Sequence, residues 1–242
     1  MMRYAVLSDV HASLEALEAV LQDVDRRAIE DVLFLGDAVG YGPDPNECVE
    51  LLVRRCKIIL AGNHDWGVLG KTDITYFNEY ARAAIEWTQG VLTKKSLKNL
   101  QSFPLRKEIE KKDMLLVHST PKEPEEWHYL LTLWDAEMNF HYFNNKYCFL
   151  GHSHSPFIIE RLPSEELVTY KERVSKGQTE RYIMNVGSVG QPRDGDPRAS
   201  YAIVDDEKME IVRVPYNVEA VQKKMRKAGL PSLLIERLSA GR

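Results

Sequence analysis

The chain has little cysteine, no long apolar run and no excess of basic charge, and each shortage removes a class of protein. Only three cysteines, Cys48, Cys56 and Cys148, occur in 242 residues, and none forms a CxxC pair. So few, widely spaced thiols, odd in number, give neither a disulfide framework nor a cysteine zinc site, and we read them as buried, reduced thiols. No apolar stretch reaches the roughly 20 residues that cross a bilayer, and no signal-peptide pattern is present. A cytoplasmic location with no membrane partner is the expectation. The formal net charge is -4, opposite to the basic excess of general nucleic-acid binders, so no stable nucleic-acid complex is expected. Gly40-Tyr41-Gly42 lacks the third glycine of a dinucleotide loop, and Gly187-Ser188-Val189-Gly190 lacks the residue that a nucleophile elbow places between its first glycine and its serine. Repeats, low-complexity tracts and convincing linkers are also missing. The reading is one domain over 1–242, with a possible lid or cap from 66–100 and 120–143.

What is present is an α/β pattern. Five short, continuous apolar runs, Tyr4 to Leu7, Val32 to Leu35, Ile58 to Leu60, Met114 to Val117 and Tyr147 to Leu150, read as strands covered on both faces. Leu14, Leu17, Leu21 and Val24 recur at helical spacing after the first run, and Val49, Leu52, Val53 and Cys56 after the second. Asp44, Pro45 and Glu47 predict a capped start for that second helix. Strand, helix, strand, helix, strand is the signature of a parallel sheet. Tyr76 to Leu100 reads as two helices broken near Gly90. Arg181 to Asn185, Ser200 to Asp205 and Met209 to Val214 read as strands of a second sheet, and the tail from Asn217 as an amphipathic helix interrupted by Gly229 and Pro231.

The chemistry sits at the ends of the five runs. They are followed by Ser8-Asp9-Val10-His11, Gly36-Asp37, Gly62-Asn63-His64-Asp65, His118 and Gly151-His152-Ser153-His154. In an open α/β sheet the carboxyl ends of the strands lie along one edge, where ligands bind. Five of the seven histidines fall at these positions, which makes a structural coincidence a poor explanation. Imidazole nitrogens with carboxylate and amide oxygens suit Mn²⁺, Fe²⁺ or Zn²⁺, with Co²⁺ and Ni²⁺ behind them and Mn²⁺ favoured; they do not suit Ca²⁺. Seven donors, Asp9, His11, Asp37, Asn63, His118, His152 and His154, exceed what one such ion takes from a protein. Two divalent ions sharing a carboxylate are the economical solution.

These blocks resemble the calcineurin-like metallophosphoesterases, whose series is DxH, GDxxG, GNH[DE], a lone His and GHxH. Here it reads Asp9-Val10-His11, Gly36-Asp37-Ala38-Val39-Gly40, Gly62-Asn63-His64-Asp65, His118 and Gly151-His152-Ser153-His154. Tyr41-Gly42-Pro43 and the segment from Asn185 to Arg193 look like blocks of the small bacterial and archaeal branch. The resemblance implies a four-layer αββα sandwich with two mixed β-sheets. It assigns Asp9, His11 and His154 to one metal, Asn63, His118 and His152 to the other, and Asp37 as the bridge. It also puts His64 beside the substrate phosphate. The protein Ser/Thr phosphatase branch extends its second block to GDxVDRG; Gly40-Tyr41-Gly42 stands there instead, so that branch's phosphate-binding arginine is missing and protein dephosphorylation is in doubt.

The implied activity is hydrolysis of phosphate esters by a metal-activated water, as a phosphodiesterase or phosphatase on a small or nucleotide-like substrate. His64 is the candidate acid, Asp65 its expected orienting partner, and Arg193 either a phosphate contact or a surface arginine in a Gly/Pro-rich turn. Two alternatives stand beside this: a non-catalytic interaction scaffold on the same fold, which the intact ligand set opposes, and a nuclease, which the acidic charge opposes. Trp127, Tyr129, Trp134, Tyr142 and Phe143 are read as packing their segment onto the core rather than as a base-stacking lid. The substrate, the metals used in the cell and the oligomeric state are open at this point.

Overall fold

The first three apolar runs form parallel strands because each is followed by a helix long enough to return the chain. In a computed structural model describing residues 3–177 and 180–242, the order is β1 (Arg3–Leu7), α1 (Leu14–Arg26), β2 (Asp31–Phe34), α2 (Pro45–Arg55) and β3 (Ile58–Ile59). A helical stretch follows with α3 (Asn63–Val68), α4 (Glu79–Val91) and α5 (Lys94–Gln101). Gly90 stays inside α4; the break falls at Leu92–Thr93, where the Thr93 hydroxyl accepts from Ser96 N and caps α5. Then come β4 (Arg106–Ile109), β5 (Met114–Val117), α6 (Leu133–Asn139), β6 (Tyr147–Leu150), β7 (Phe157–Arg161), β8 (Leu167–Tyr170), β9 (Arg173–Ser175) and β10 (Arg181–Asn185). β11 (Ala199–Asp205), β12 (Lys208–Val214), α7 (Val218–Lys227) and α8 (Ser232–Ala240) complete the chain.

The strands make two six-stranded sheets, β3-β2-β1-β11-β12-β9 and β4-β5-β6-β10-β7-β8. Both are mixed: β1 runs parallel to β2 and antiparallel to β11, and β10 parallel to β6 and antiparallel to β7. This corrects two expectations. β11 and β12 do not join a second sheet; they extend the first, because β1 offers its free edge to β11. The runs at Met114 and Tyr147, in turn, belong to the second sheet with β10. A continuous apolar run says that both faces of a strand are covered, and says nothing about which sheet it joins.

The alternation along β1 shows how the layers stack. Ala5 and Leu7 face α1 and α2, joining Leu17, Val20, Val49 and Leu52. Tyr4 and Val6 face the second sheet, joining Leu116, Phe149, Tyr182 and Met184. On the outer face of the second sheet, Leu115, Val117 and Cys148 meet Ala136 and Phe140 from α6 and the turn after it. Each fully buried side chain of this size contributes about 1.5–3 kcal/mol. The architecture is the αββα sandwich. One local expectation fails: Asp44 makes no side-chain cap on α2, because Lys224 from α7 takes its carboxylate at 2.9 Å. No helix among the described residues is long and apolar enough to cross a membrane.

Candidate metal centre

The candidate ligands do converge, at the place where the carboxyl ends of both sheets meet rather than along one sheet edge. β1, β2 and β3 deliver Asp9, His11, Asp37 and Asn63 from one sheet; β5 and β6 deliver His118, His152 and His154 from the other. Backbone hydrogen bonds continue the β1–β2 pairing into the loops: Asp9 N donates to Gly36 O, His11 N to Asp37 O and Ala12 N to Ala38 O. Gly151 N donates to His118 O and joins the other two loops. Close approach demands small residues here. A Cβ on Gly62 would lie 2.1 Å from Asp37 Oδ1, and one on Gly151 would lie 2.4 Å from Asp9 Oδ2.

Five of the candidate ligands hold left-handed backbone: Asp9 (φ 55°), His11 (48°), Asp37 (59°), His152 (65°) and His154 (58°). Such residues cost roughly 1–3 kcal/mol each and persist where the surroundings over-determine them, typically at functional sites. The clustering of this strain on the candidate ligands is independent of any motif.

All seven donors are buried, none more than 8% exposed. Their ligand atoms fall into two groups, each lying within 4.8 Å of one another: Asp9, His11, Asp37 and His154, and Asp37, His118 and His152. Asp37 belongs to both. Its Oδ2 lies 3.5 Å from His11 Nε2 and 3.4 Å from His118 Nε2, while its Oδ1 accepts from His64 N at 2.8 Å. Asn63 Oδ1 joins the second group 3.3 Å from His118 Nε2.

The histidine tautomers follow from their backbone contacts. His11 Nδ1 faces Val39 O at 3.1 Å, His118 Nδ1 faces Leu35 O at 3.1 Å and His154 Nδ1 faces Gln191 O at 2.6 Å. A carbonyl can only accept, so each Nδ1 carries a proton, and the neutral His11 and His154 rings are left with Nε2 as a bare lone pair. His152 is reversed: its Nε2 donates to Trp127 O at 2.9 Å, which leaves Nδ1 as the lone pair. Second-shell bonds of this kind orient metal-bound histidines. Nε2 of His11 and Nε2 of His154 lie 3.0 Å apart, and Asp9 Oδ1 is buried without any hydrogen-bond partner. Lone pairs facing each other beside two buried carboxylates repel unless positive charge sits among them. The site fits cations, and its nitrogen-plus-oxygen donor set fits divalent transition metals.

The electrostatics of the bare side chains agree. Burial pushes the His11, His152 and His154 imidazoles down, His152 to about 3. Burial also acts on His118, yet Asp37 outweighs it and holds that group up at about 9. His154 and His118 hold the Asp9 carboxyl well below its usual range against its burial.

Asp65 does not orient His64. Its Oδ2 accepts from Asp37 N and Gly62 N, both at 2.9 Å, and its Oδ1 from Ala38 N at 3.0 Å and Val39 N at 3.3 Å. Burial and the Asp37 charge push Asp65 up to about 7, and its amide donors pull the other way. Four donors and no acceptor around one carboxyl group favour the carboxylate. Its place is to fasten the second and third motif loops together. His64 stands instead among rings: Tyr41 at 4.4 Å, His11 at 4.8 Å and Phe77 at 5.4 Å. His64 Nδ1 is buried with no partner.

Arg193 Nη2 donates to Gln191 Oε1 at 3.0 Å and Tyr41 OH at 3.3 Å. Tyr41 lines the cleft that opens beside the donors, and Arg193 does not. This cleft, of about 800 Å³, runs from Asn63, His64 and His152 outward past Trp66, Trp127 and Tyr129. The aromatic segment after His118 therefore splits: Phe143 packs into the core as expected, Trp127 and Tyr129 face the cleft, and Trp134 and Tyr142 are exposed. Other contributors were hidden in the sequence. Ser188 Oγ donates to Asp9 O, and Asn185 Nδ2 to Gly151 O, so the strand-end segment of β10 cross-links both ligand loops. Asn185-Val186-Gly187-Ser188 was legible as a distinctive block, but its contacts were not. Nothing in the sequence marked the Trp127 carbonyl.

Comparison with known proteins places this geometry in a family. The calcineurin-like phosphoesterase superfamily domain matches residues 2–209. An uncharacterized protein of Methanocaldococcus jannaschii is 45% identical, over 98% of each chain. The crystal structure of a metallophosphoesterase from Sphaerobacter thermophilus superposes with a TM-score of 0.87 at 43% identity, covering 100% of this chain and 99% of that one. A hypothetical protein from Pyrococcus horikoshii shares the fold, with a TM-score of 0.80 at 19% identity over 100% and 99% of the two chains. With the match spanning both sheets and every motif block, this chain belongs to the calcineurin-like phosphoesterase superfamily.

Proposed function

We propose that this chain is a binuclear metal-dependent hydrolase of phosphate esters, a phosphodiesterase or phosphatase acting on a small or nucleotide-like substrate. The observation that carries the reading is the pair of buried donor groups that share Asp37, two of whose neighbours, Asn63 and His152, line the inner end of a cleft. Asp9, His11 and His154 would hold one ion, Asn63, His118 and His152 the other, and Asp37 both. Mn²⁺ is favoured among Mn, Fe, Zn, Ni and Co. When bound, two divalent ions neutralise phosphoryl oxygens and lower the pKa of a coordinated water, so that a nucleophile exists near neutral pH.

The balance of the reaction is simple: a water oxygen forms a bond to phosphorus, the bond from phosphorus to the leaving oxygen breaks, and the proton of that water ends on the departing alcohol. His64 is the side chain at the donor end of the cleft that is free to hydrogen-bond the phosphoryl or leaving oxygen as charge builds on it. Burial pushes its imidazole down to about 4, so at neutral pH the ring is uncharged and offers one N–H as donor. The rings of Tyr41 and Phe77 fix its orientation, in place of the Asp65 contact expected earlier. His64→Ala should keep its metal content by elemental analysis while kcat falls by about 10²–10³-fold, the usual worth of one donor aimed at developing oxyanion charge. Wild-type turnover in this variant removes His64 from the reaction.

Arg193 acts as a positioning residue, through Tyr41. Its guanidinium donates to the hydroxyl of Tyr41, the residue that stands in the sequence where the protein phosphatase branch carries the arginine of its second motif block. Arg193→Ala frees the Tyr41 hydroxyl rather than removing a substrate contact, so KM should rise by about tenfold at most, with a smaller change in kcat. An unchanged KM makes Arg193 a scaffold residue. The general test is an assay of monoester and diester model substrates across a panel of divalent metals. Inactivity with every metal favours the non-catalytic scaffold.

A further inference from the structure

From the walls of the cleft we infer that the group carried by the scissile phosphate is a nucleoside, its base held between the Trp66–Trp127 pair and Tyr76. The inference rests on the phosphoesterase reading for the position of the phosphate and goes beyond it by naming the substrate class. Four observations support it.

First, the cleft has the size of a small-molecule site. Its roughly 800 Å³ lies within the usual range of about 300–1,000 Å³, more than a phosphate with a three-carbon alcohol would fill.

Second, its walls beyond the donor groups are flat and aromatic. Trp66 meets Trp127 edge-to-face at 5.4 Å, and Tyr129 stacks on the His152 ring at 4.2 Å. Tyr76 lines the same cleft and is 89% exposed. A tyrosine that the core does not use, at the mouth of a cleft already walled by indoles, is a stacking surface. Base–aromatic stacking is the interaction such faces provide.

Third, the indole N–H of Trp127 is buried and lacks a hydrogen-bond partner. A buried donor of this kind calls for an acceptor. Any acceptor oxygen or nitrogen of a bound ester can supply one once the ring gives way, a base nitrogen or carbonyl among them, whereas an alkyl group cannot.

Fourth, the charge of the outer cleft selects among phosphate esters. Asp73, Glu125 and Glu126 line it against Lys71 alone. Three acidic side chains against one lysine disfavour a second phosphate or a polyanionic strand, and they can accept from amino and hydroxyl groups. The class is therefore a nucleoside with a single phosphate ester, monoester or cyclic diester, rather than a nucleoside polyphosphate, a sugar bisphosphate or a nucleic-acid chain.

The test compares matched pairs with and without a base. Nucleoside monophosphates are set against ribose 5-phosphate, and nucleoside 2′,3′-cyclic phosphates against ribose 2,3-cyclic phosphate, using the metal-loaded enzyme. The expected result is a kcat/KM at least about tenfold higher with the base present, and lower again for nucleoside di- and triphosphates. Trp66→Leu and Tyr76→Ser should each reduce the base-dependent ratio about fivefold or more. Tyr76 is exposed enough that its replacement leaves folding aside. Free adenosine, which has no phosphate to be cut, should quench tryptophan fluorescence of the wild type and do so less in Tyr76→Ser. Turnover that ignores the base, or a ratio unmoved in both variants, overturns the nucleoside assignment and leaves the phosphoesterase standing. No turnover on any ester with any metal overturns the phosphoesterase reading, and this inference with it.

Discussion

Asp37→Ala is expected to abolish turnover and to leave the protein without its full complement of metal. Asp37 is the one residue common to both donor groups, and its Oδ2 faces histidines from both sheets. In the proposed binuclear centre, removing it deletes a ligand from each ion and half of the negative charge that the carboxylates of Asp9 and Asp37 supply. Changes to groups that merely orient ligands already cost about 10–100-fold in affinity or activity; loss of a shared ligand should exceed that. Elemental analysis after dialysis should return less than one ion per chain, with kcat/KM down by about 10³-fold or more. A variant that retains both ions refutes the bridge. Folding is a separate matter, because Asp37 also accepts from His64 N, so circular dichroism of the variant should accompany the metal count.

The second large effect is on stability. Asp65 is completely buried and its two oxygens each accept two backbone amides, from the loops that carry Asp37 and Asn63. In Asp65→Asn one oxygen becomes an NH₂ group, which confronts two buried N–H donors with a third. Each stranded donor costs about 1–3 kcal/mol, or about 2–6 kcal/mol together. For a chain of this length that corresponds to a melting temperature lower by about 5–20 °C. The measurement belongs on metal-free protein, since bound metal stabilises the folded state by mass action and would confuse the comparison. A melting temperature within about 2 °C of the wild type would mean that the loops are held by something else.

Much of the candidate site is legible in the sequence, and the reason is chemical. Asp, Asn and His at strand ends, five times over, have few uses other than binding cations, and the order of the blocks specifies a family. The strands were legible for the same reason, since runs such as Met114–Val117 have no polar residue to expose. Sheet membership was not legible, because an edge is chosen by long-range pairing. β1 could have been a terminal strand, and only its pairing with β11 over Arg3↔Asp205 to Val6↔Ala202 shows that it is central. The partners of Asp65 and Asp44 were misread for a related reason. Neighbours in sequence suggest His64 for the first and the backbone amides of the first turn of α2 for the second, whereas the amides of two loops and Lys224, 180 residues away, offer these carboxylates stronger partners. Trp127 marks the limit of such reading. Its side chain belongs to the cleft and its carbonyl to His152, and no residue pattern announces what a carbonyl will touch.

The account stands or falls on where cations bind. Crystals grown with Mn²⁺ and measured near the manganese absorption edge should show two anomalous peaks per chain. One should be ligated by Asp9, His11 and His154, the other by Asn63, His118 and His152, with the Asp37 carboxylate touching both. A single peak, or peaks that leave Asp37 free, would contradict it.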